Sequence, residues 1–296
     1  MADRTLAVGL VGLGNAGGSL AQALAPQCQL FGYDIDPARR SAVSGLDITL
    51  TTSAKGVAEN AFIVILSLPK PEISHAVLDE LLGIVDPPEL VIETSTVTPK
   101  TAQELAAKCA AKGVAFVDAA IAGGVQSMAA GKCTFLVGGN NDSVAKAKPI
   151  LGLIAETIHD LGPVGAGSGA KVVNNAVMHA EMVVLIEAVA MAKKLGIKLE
   201  KMVEILARPD GIMRPLEHRI AERIAQANYT GGMSVANARK DSMLALETAQ
   251  DTGVPLYATL AAHTPYEIAH SLGWGEDDYA SLARLWEQWC GVKFNV

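Results

Sequence analysis

The chain has 296 residues, half of them hydrophobic but only 4% aromatic. It is long enough for two domains, and it suits close-packed helices on a buried parallel sheet better than an aromatic-rich antiparallel barrel. Twenty-four Lys and Arg against 31 Asp and Glu leave a formal charge of −7, which repels nucleic acid and anionic membrane, so an anionic ligand must be met by local groups. Cys28, Cys109, Cys133 and Cys290 stand singly, without the C-x-x-C spacing of a zinc or redox site; they read as reduced thiols of a cytoplasmic protein, and no metal is expected.

In chain order, short apolar runs of strand composition at 5–11, 30–34, 62–68, 90–93, 115–118 and 134–137 alternate with helical patterns, as βαβ units do. The N-terminal run is too short, and too soon broken by Gly12 and Gly14, to be an export signal. After Pro163 only helical patterns follow, at 170–195, 199–207, 214–227, 237–252, 258–272 and 279–290. The Gly162-Pro163-Val164-Gly165 cluster therefore divides a Rossmann-type, doubly wound α/β domain (1–163) from an all-α domain for substrate and oligomerisation (164–296). The stretch 172–192 is apolar enough to suggest a membrane span, but Asn174, Asn175, His179, Glu181 and Glu187 would be costly in lipid. It is expected to be a helix buried against others, those of a second subunit included.

The first strand runs into Gly12-Leu13-Gly14-Asn15-Ala16-Gly17 and then a helix. In that setting Gly12 permits the tight turn, Gly14 lets a pyrophosphate approach the backbone, and Gly17 allows close helix–strand packing. Asp34, 20 residues after Gly14, ends the next strand and is placed to hold both ribose hydroxyls of NAD and to repel the extra phosphate of NADP. Asp36-Pro37 is the better helix start, which leaves Asp34 free for that task; Arg39 and Arg40 read as a solvated helix face and keep NADP open. Two further segments suit a substrate. The strand at 115–118 leads through Ala122 to Gly123-Gly124, whose bare N–H groups suit a carboxylate, and Lys171 and Asn175 lie four residues apart on one helix face. Lys171 in such an apolar helix suits a base for an alcohol proton. His179 reads as supporting or core, Met178, Met182 and Met191 as core filling, and Arg208, Arg214, Arg219 and Arg223 as ion pairs or solvated faces.

Taken with Leu68-Pro69, Glu93-Thr94-Ser95-Thr96 and Pro99, Gly131, Gly138-Gly139, Lys171-Val172-Val173-Asn174-Asn175, Glu187, Lys240-Asp241, and Gly273 with Asp278, the chain resembles the β-hydroxyacid dehydrogenase family over essentially its whole length. Its members include 3-hydroxyisobutyrate dehydrogenase and tartronate semialdehyde reductase. The resemblance implies a homodimeric or homotetrameric enzyme that uses NAD to oxidise a small 3-hydroxy acid, or to reduce the matching semialdehyde. It implies Lys171 as general acid/base and Asn175 with the Gly123-Gly124 backbone as substrate holders. Lys240 would lie near cofactor and substrate, and Leu68 and Thr96 beside the nicotinamide. The chain departs from the family at Ala120 and Ala122, where Pro and a substrate-binding Ser are usual, and at Met128, where a small residue is usual and which would form an apolar pocket wall. Two alternatives are an imine reductase on the same fold and a dinucleotide-binding sensor without turnover. The general acid/base pattern argues against both.

Overall fold

Strand residues with alternating apolar side chains form one eight-stranded sheet in a computed structural model that describes residues 6–295. Thr5, where the first strand was expected to begin, lies outside the described residues. The elements run β1 (Ala7–Val11), α1 (Asn15–Leu24), β2 (Gln29–Tyr33), α2 (Pro37–Ala42), β3 (Ile48–Leu50), α3 (Ala54–Ala58), β4 (Ile63–Leu66), α4 (Pro71–Leu82) and β5 (Leu90–Glu93). They continue with α5 (Pro99–Ala110), β6 (Ala115–Ala122), α6 (Val125–Ala129), β7 (Cys133–Gly139), α7 (Asn141–Leu151) and β8 (Ala155–Asp160). The order is β3-β2-β1-β4-β5-β6-β7-β8, so the chain reverses direction across the sheet between β1 and β4, where doubly wound sheets bind ligands.

Period-two alternation fills both faces. Val8, Leu10, Ile65, Leu90, Ile92, Val117 and Ile121 join Leu20 and Leu24 of α1 and Val144 and Ile150 of α7 in one core. Val11, Val64, Leu66, Val91 and Phe116 join Val57, Leu78, Leu81 and Leu105 of α3, α4 and α5 in the other. Fully buried leucines such as Leu10, Leu78 and Leu81 each contribute roughly 1.5–3 kcal/mol, so these two layers hold the unit together.

The sheet differs from the expected all-parallel one at β7, which pairs antiparallel with β6. Residues 123–132, which hold only the short α6, are too few for a parallel crossover. β3 and β8 escaped the sequence reading because both are edge strands, and the polar pattern Ala-Glu-Thr-Ile-His-Asp of β8 shows no apolar run.

The long helix α8 (Ala166–Lys194) is followed by α9 (Leu199–Leu206), a π-helix (Pro215–Ile224), α10 (Val235–Thr252), α11 (Tyr257–Ser271), a 3-10 turn (Tyr279–Leu282) and α12 (Ala283–Cys290). Two compact units meet at residues 176 and 177, within α8. The first turns of α8 are bonded to the sheet, which places them in the first unit. The helical unit has a thin core of its own, Val235, Ala269 and Leu285 in one cluster and Ala249, Val254 and Leu256 in another. In its interior Asp278 faces Arg219 and Arg223, and Glu187 accepts hydrogen bonds from the backbone of Ala258 and Thr259 at the start of α11.

The expectation of a buried α8 does not hold for the single chain. Val173 (65% exposed), Val177 (60%) and Met182 (56%) face outward among the described residues, as do Met178 and His179. Met191 packs on a core cluster, whereas Met178, Met182 and His179 are exposed in the single chain. Among the described residues α8 is the one helix long and apolar enough to cross a membrane by length and composition.

Candidate active site

Five strand ends build the site at the carboxyl edge of the sheet. Gly12 follows β1 with φ +94°, and a Cβ there would strike the Ser67 carbonyl oxygen at 2.1 Å; one on Gly17 would lie 1.9 Å from the carbonyl of Gly12. These two glycines let the loop fold against β4 and α1 sit against the loop. A Cβ on Gly14, by contrast, would meet nothing within 4 Å, and no side chain caps the first turn of α1. The loop is thus an open cradle of backbone N–H groups with Asn15 exposed on it, which fits the pyrophosphate of a dinucleotide.

Asp34 ends β2 as expected, yet it is not free. One carboxylate oxygen accepts from the Leu13 N–H at 2.7 Å and the other from the Asp36 N–H at 2.9 Å, while Asp36 caps α2 through Ala38. The carboxylate therefore holds the glycine loop to β2 and keeps a lone pair on each oxygen for ribose hydroxyls. Arg39 and Arg40 also depart from a purely solvated face. Arg39 donates to Asn15 Oδ1 at 3.2 Å, and Arg40 donates to the Asp34 carbonyl and lies over the Tyr33 ring. Two guanidinium groups thus flank the cradle, Arg39 at Asn15 and Arg40 at Asp34.

Leu68 and Pro69 follow β4 and Thr96 follows β5. Leu68 is partly buried, whereas Pro69 and Thr96 are exposed on the same sheet edge. β6 outruns β5 by four residues, since its last partner pair is Glu93 with Asp118, so Ala122 and Gly123-Gly124 project past the edge. Gly123 has φ +124° and, like Gly124, has open space around it. Met128, four residues on, is buried in the core with Leu20 and Leu24 as α6 packs against α1. It is not a pocket wall, and its size answers to packing.

Asp118 has a role that its place in the sequence pattern does not reveal. Its carboxylate is fully buried and accepts from the N–H groups of Gly165 at 2.8 Å and Ser168 at 2.7 Å, closing the start of α8 from a strand. Added Cβ atoms at Gly138 and Gly167 would collide with Asp118 Oδ1 and with the Leu136 carbonyl, so the helix is pressed onto β6 and β7. An acidic residue inside the apolar run Phe116-Val117-Asp118 was the available signal. Lys171 sits in the second turn of this anchored helix, half-buried, and burial lowers its pKa below the ordinary lysine value. Asn175, one turn on, is likewise partly buried. Lys240 belongs to the helical unit, where it is exposed and pairs with Asp241 at 2.8 Å.

All four cysteines are free. Burial raises the Cys28, Cys109 and Cys133 thiols to about 11, about 12 and about 11, which keeps them protonated and unreactive at neutral pH.

A glycine cradle at the switch point, an acidic residue on the ribose side and a half-buried lysine on an anchored helix define a nicotinamide-dependent oxidoreductase. Residues 7–162 match the model of the NAD binding domain of 6-phosphogluconate dehydrogenase, and residues 165–286 that of the NAD-binding segment of NADP-dependent 3-hydroxyisobutyrate dehydrogenase. The chain belongs to the β-hydroxyacid dehydrogenase family and is an NAD(P)-dependent oxidoreductase acting on CH–OH groups. It is 29% identical to 2-(hydroxymethyl)glutarate dehydrogenase of Eubacterium barkeri, over 98% of each chain. It is 30% identical to NAD-dependent L-serine dehydrogenase of Pseudomonas aeruginosa, over 95% of this chain and 97% of the relative. An imine reductase from Pseudomonas sp., at 22% identity, shares the fold with a TM-score of 0.85 over 95% of this chain and 99% of that one.

Proposed function

We propose that the protein oxidises a small 3-hydroxy acid with NAD, or reduces the corresponding semialdehyde, with Lys171 as general acid/base. The observation that carries this reading is Asp118. One strand both anchors the helix bearing Lys171 and ends in the open Gly123-Gly124 backbone. Gly12, Gly14, Asn15, Ala16 and Gly17 cradle the pyrophosphate, Asp34 holds the ribose, and Leu68, Pro69 and Thr96 border the nicotinamide, which accepts or delivers the hydride when bound.

The N–H groups of Gly123 and Gly124 bind the substrate carboxylate beside Ala122. Asn175 orients the hydroxyl by donating and accepting, and Lys171 Nζ takes the hydroxyl proton as the alcohol becomes a carbonyl. Imine reduction also consumes a proton, at the nitrogen, so an amine at position 171 does not by itself separate the two reactions; the similarity to dehydrogenases over nearly the whole chain supports the alcohol. With Met128 in the core, only Ala120 and Ala122 remain as departures near the carboxylate. A panel of 3-hydroxy acids followed by NADH absorbance tests the assignment; activity on none of them, with imines turned over instead, would overturn it.

NAD is the preferred cofactor in this reading. Asp34→Ser is expected to raise the KM for NAD about tenfold or more, because hydrogen bonds to a charged group are worth roughly 1.5–3 kcal/mol. The KM for NADP should fall, with Arg39 left to meet the extra phosphate. Steady-state kinetics with both cofactors check this, and a wild type favouring NADP tenfold would contradict it.

The enzyme works in the cytoplasm as a homodimer or homotetramer in which a second copy covers α8. Support comes from the outward Val173, Val177 and Met182, from the thin core of the helical unit, and from Asn174, Asn175 and His179, which make lipid a costly alternative cover. Sedimentation equilibrium should give at least twice the 30.8 kDa chain mass, and Val177→Glu should shift the equilibrium toward monomer. A monomeric wild type at micromolar concentration would refute the assembly.

A further inference from the structure

Glu93, the last residue of β5, is 1% exposed and sits beside the fully buried Asp118 on the neighbouring strand, with no Lys or Arg bonded to either carboxylate among the described residues. The two acids are satisfied differently. Asp118 is held by the N–H groups at the start of α8, whereas Glu93 Oε1 accepts the Ser95 N–H at 2.8 Å. The Ser95 hydroxyl in turn accepts the Leu68 N–H at 2.7 Å, across 27 residues of chain. Thr94 reinforces the same junction by donating its hydroxyl to the Leu66 carbonyl at 2.6 Å. Burial, together with the charge of Asp118, favours the protonated form of Glu93, against the opposing bonds from Ser95 and Ser74.

An uncompensated buried acid at a strand end is costly to fold, and packing does not require it, since an apolar side chain would fill the same space. What it does is fix the loop after β5 to the loop after β4. These loops carry Thr96 and Leu68, the residues that border the nicotinamide in the proposed function, on which this inference rests. We propose that Glu93 is a positioning residue for the nicotinamide end of the cofactor, acting through Ser95 on Leu68. It touches neither cofactor nor substrate and sets the loop geometry at the hydride-transferring end, leaving the adenosine end to Gly14 and Asp34.

ADP-ribose, which lacks the nicotinamide ring, separates this role from a general loss of structure. Calorimetric titration of the full-length protein with NAD and with ADP-ribose, together with the kcat of each variant, provides the test. Glu93→Ala and Ser95→Ala should each weaken NAD about fivefold or more, the size of one net hydrogen bond, and lower kcat while leaving ADP-ribose within about twofold. Glu93→Gln keeps an oxygen for the Ser95 N–H and should retain most of the NAD affinity. Ser95→Ala carries the test if Glu93→Ala fails to fold. Equal weakening of both ligands, or of neither, in folded variants would overturn the proposal. Leu68→Ala is the control for the reading beneath it. If that variant binds NAD as the wild type does, the nicotinamide placement fails and the proposal with it; if it loses NAD affinity while Glu93→Ala and Ser95→Ala do not, only the role of Glu93 fails.

Discussion

Replacing Lys171 by alanine is expected to lower kcat by a factor of about 10² to 10⁴ and to leave NAD affinity nearly unchanged, because general acid/base catalysis acts on the chemical step. The pH dependence follows from the direction of its shift. Burial lowers the lysine pKa, so the neutral amine that can accept the alcohol proton forms at lower pH than for an exposed lysine. Oxidation should rise with pH through that lowered pKa. Reduction needs the ammonium as proton donor and should fall over the same range. Both limbs should vanish in the alanine variant. Rates of NADH formation and consumption across pH, with cofactor binding measured separately, check each part.

Asp118→Ala should be the most damaging single change to the sheet unit outside its apolar core. It removes a buried carboxylate that accepts two backbone N–H groups at the start of α8, and orphaned buried donors cost about 1–3 kcal/mol each. The expected loss is about 3 kcal/mol in urea unfolding, with kcat falling because the anchored turn precedes Lys171. Asn at this position can accept only through its carbonyl oxygen, so Asp118→Asn should fall between alanine and wild type. Unchanged stability in Asp118→Ala would remove the carboxylate from the account of how the helix is held.

The glycine loop, Asp34 at the end of the second strand, the strand ending at Glu93 and the helices beyond residue 166 were legible from the sequence because each follows from a local rule. Glycine spacing answers to turn geometry, and apolar period answers to burial. The short edge strands β3 and β8 and the reversed direction of β7 were not legible, since partner choice depends on connection length and on neighbours distant in sequence. The same limit hid the side-chain ties that shape the site. Asp34 bonds Leu13 across 21 residues, Asp118 bonds Ser168 across 50, and Ser95 bonds Leu68 across 27. The place of Met128 was hidden for a related reason: composition says that a side chain is apolar, not whether it faces a pocket or the core.

Fold alone does not separate alcohol oxidation from imine reduction, because the helical and sheet architecture is shared with an imine reductase. Substrate turnover separates them, with Lys171 as the proposed acid/base of the alcohol reaction. The most direct measurement sets wild type and Lys171→Ala side by side on the best 3-hydroxy acid with NAD and on a cyclic imine with NADH and NADPH. The account predicts oxidation of the acid by the wild type, its loss in the variant, and little imine reduction by either protein. Imine turnover exceeding that of every hydroxy acid, and surviving replacement of Lys171, would contradict it.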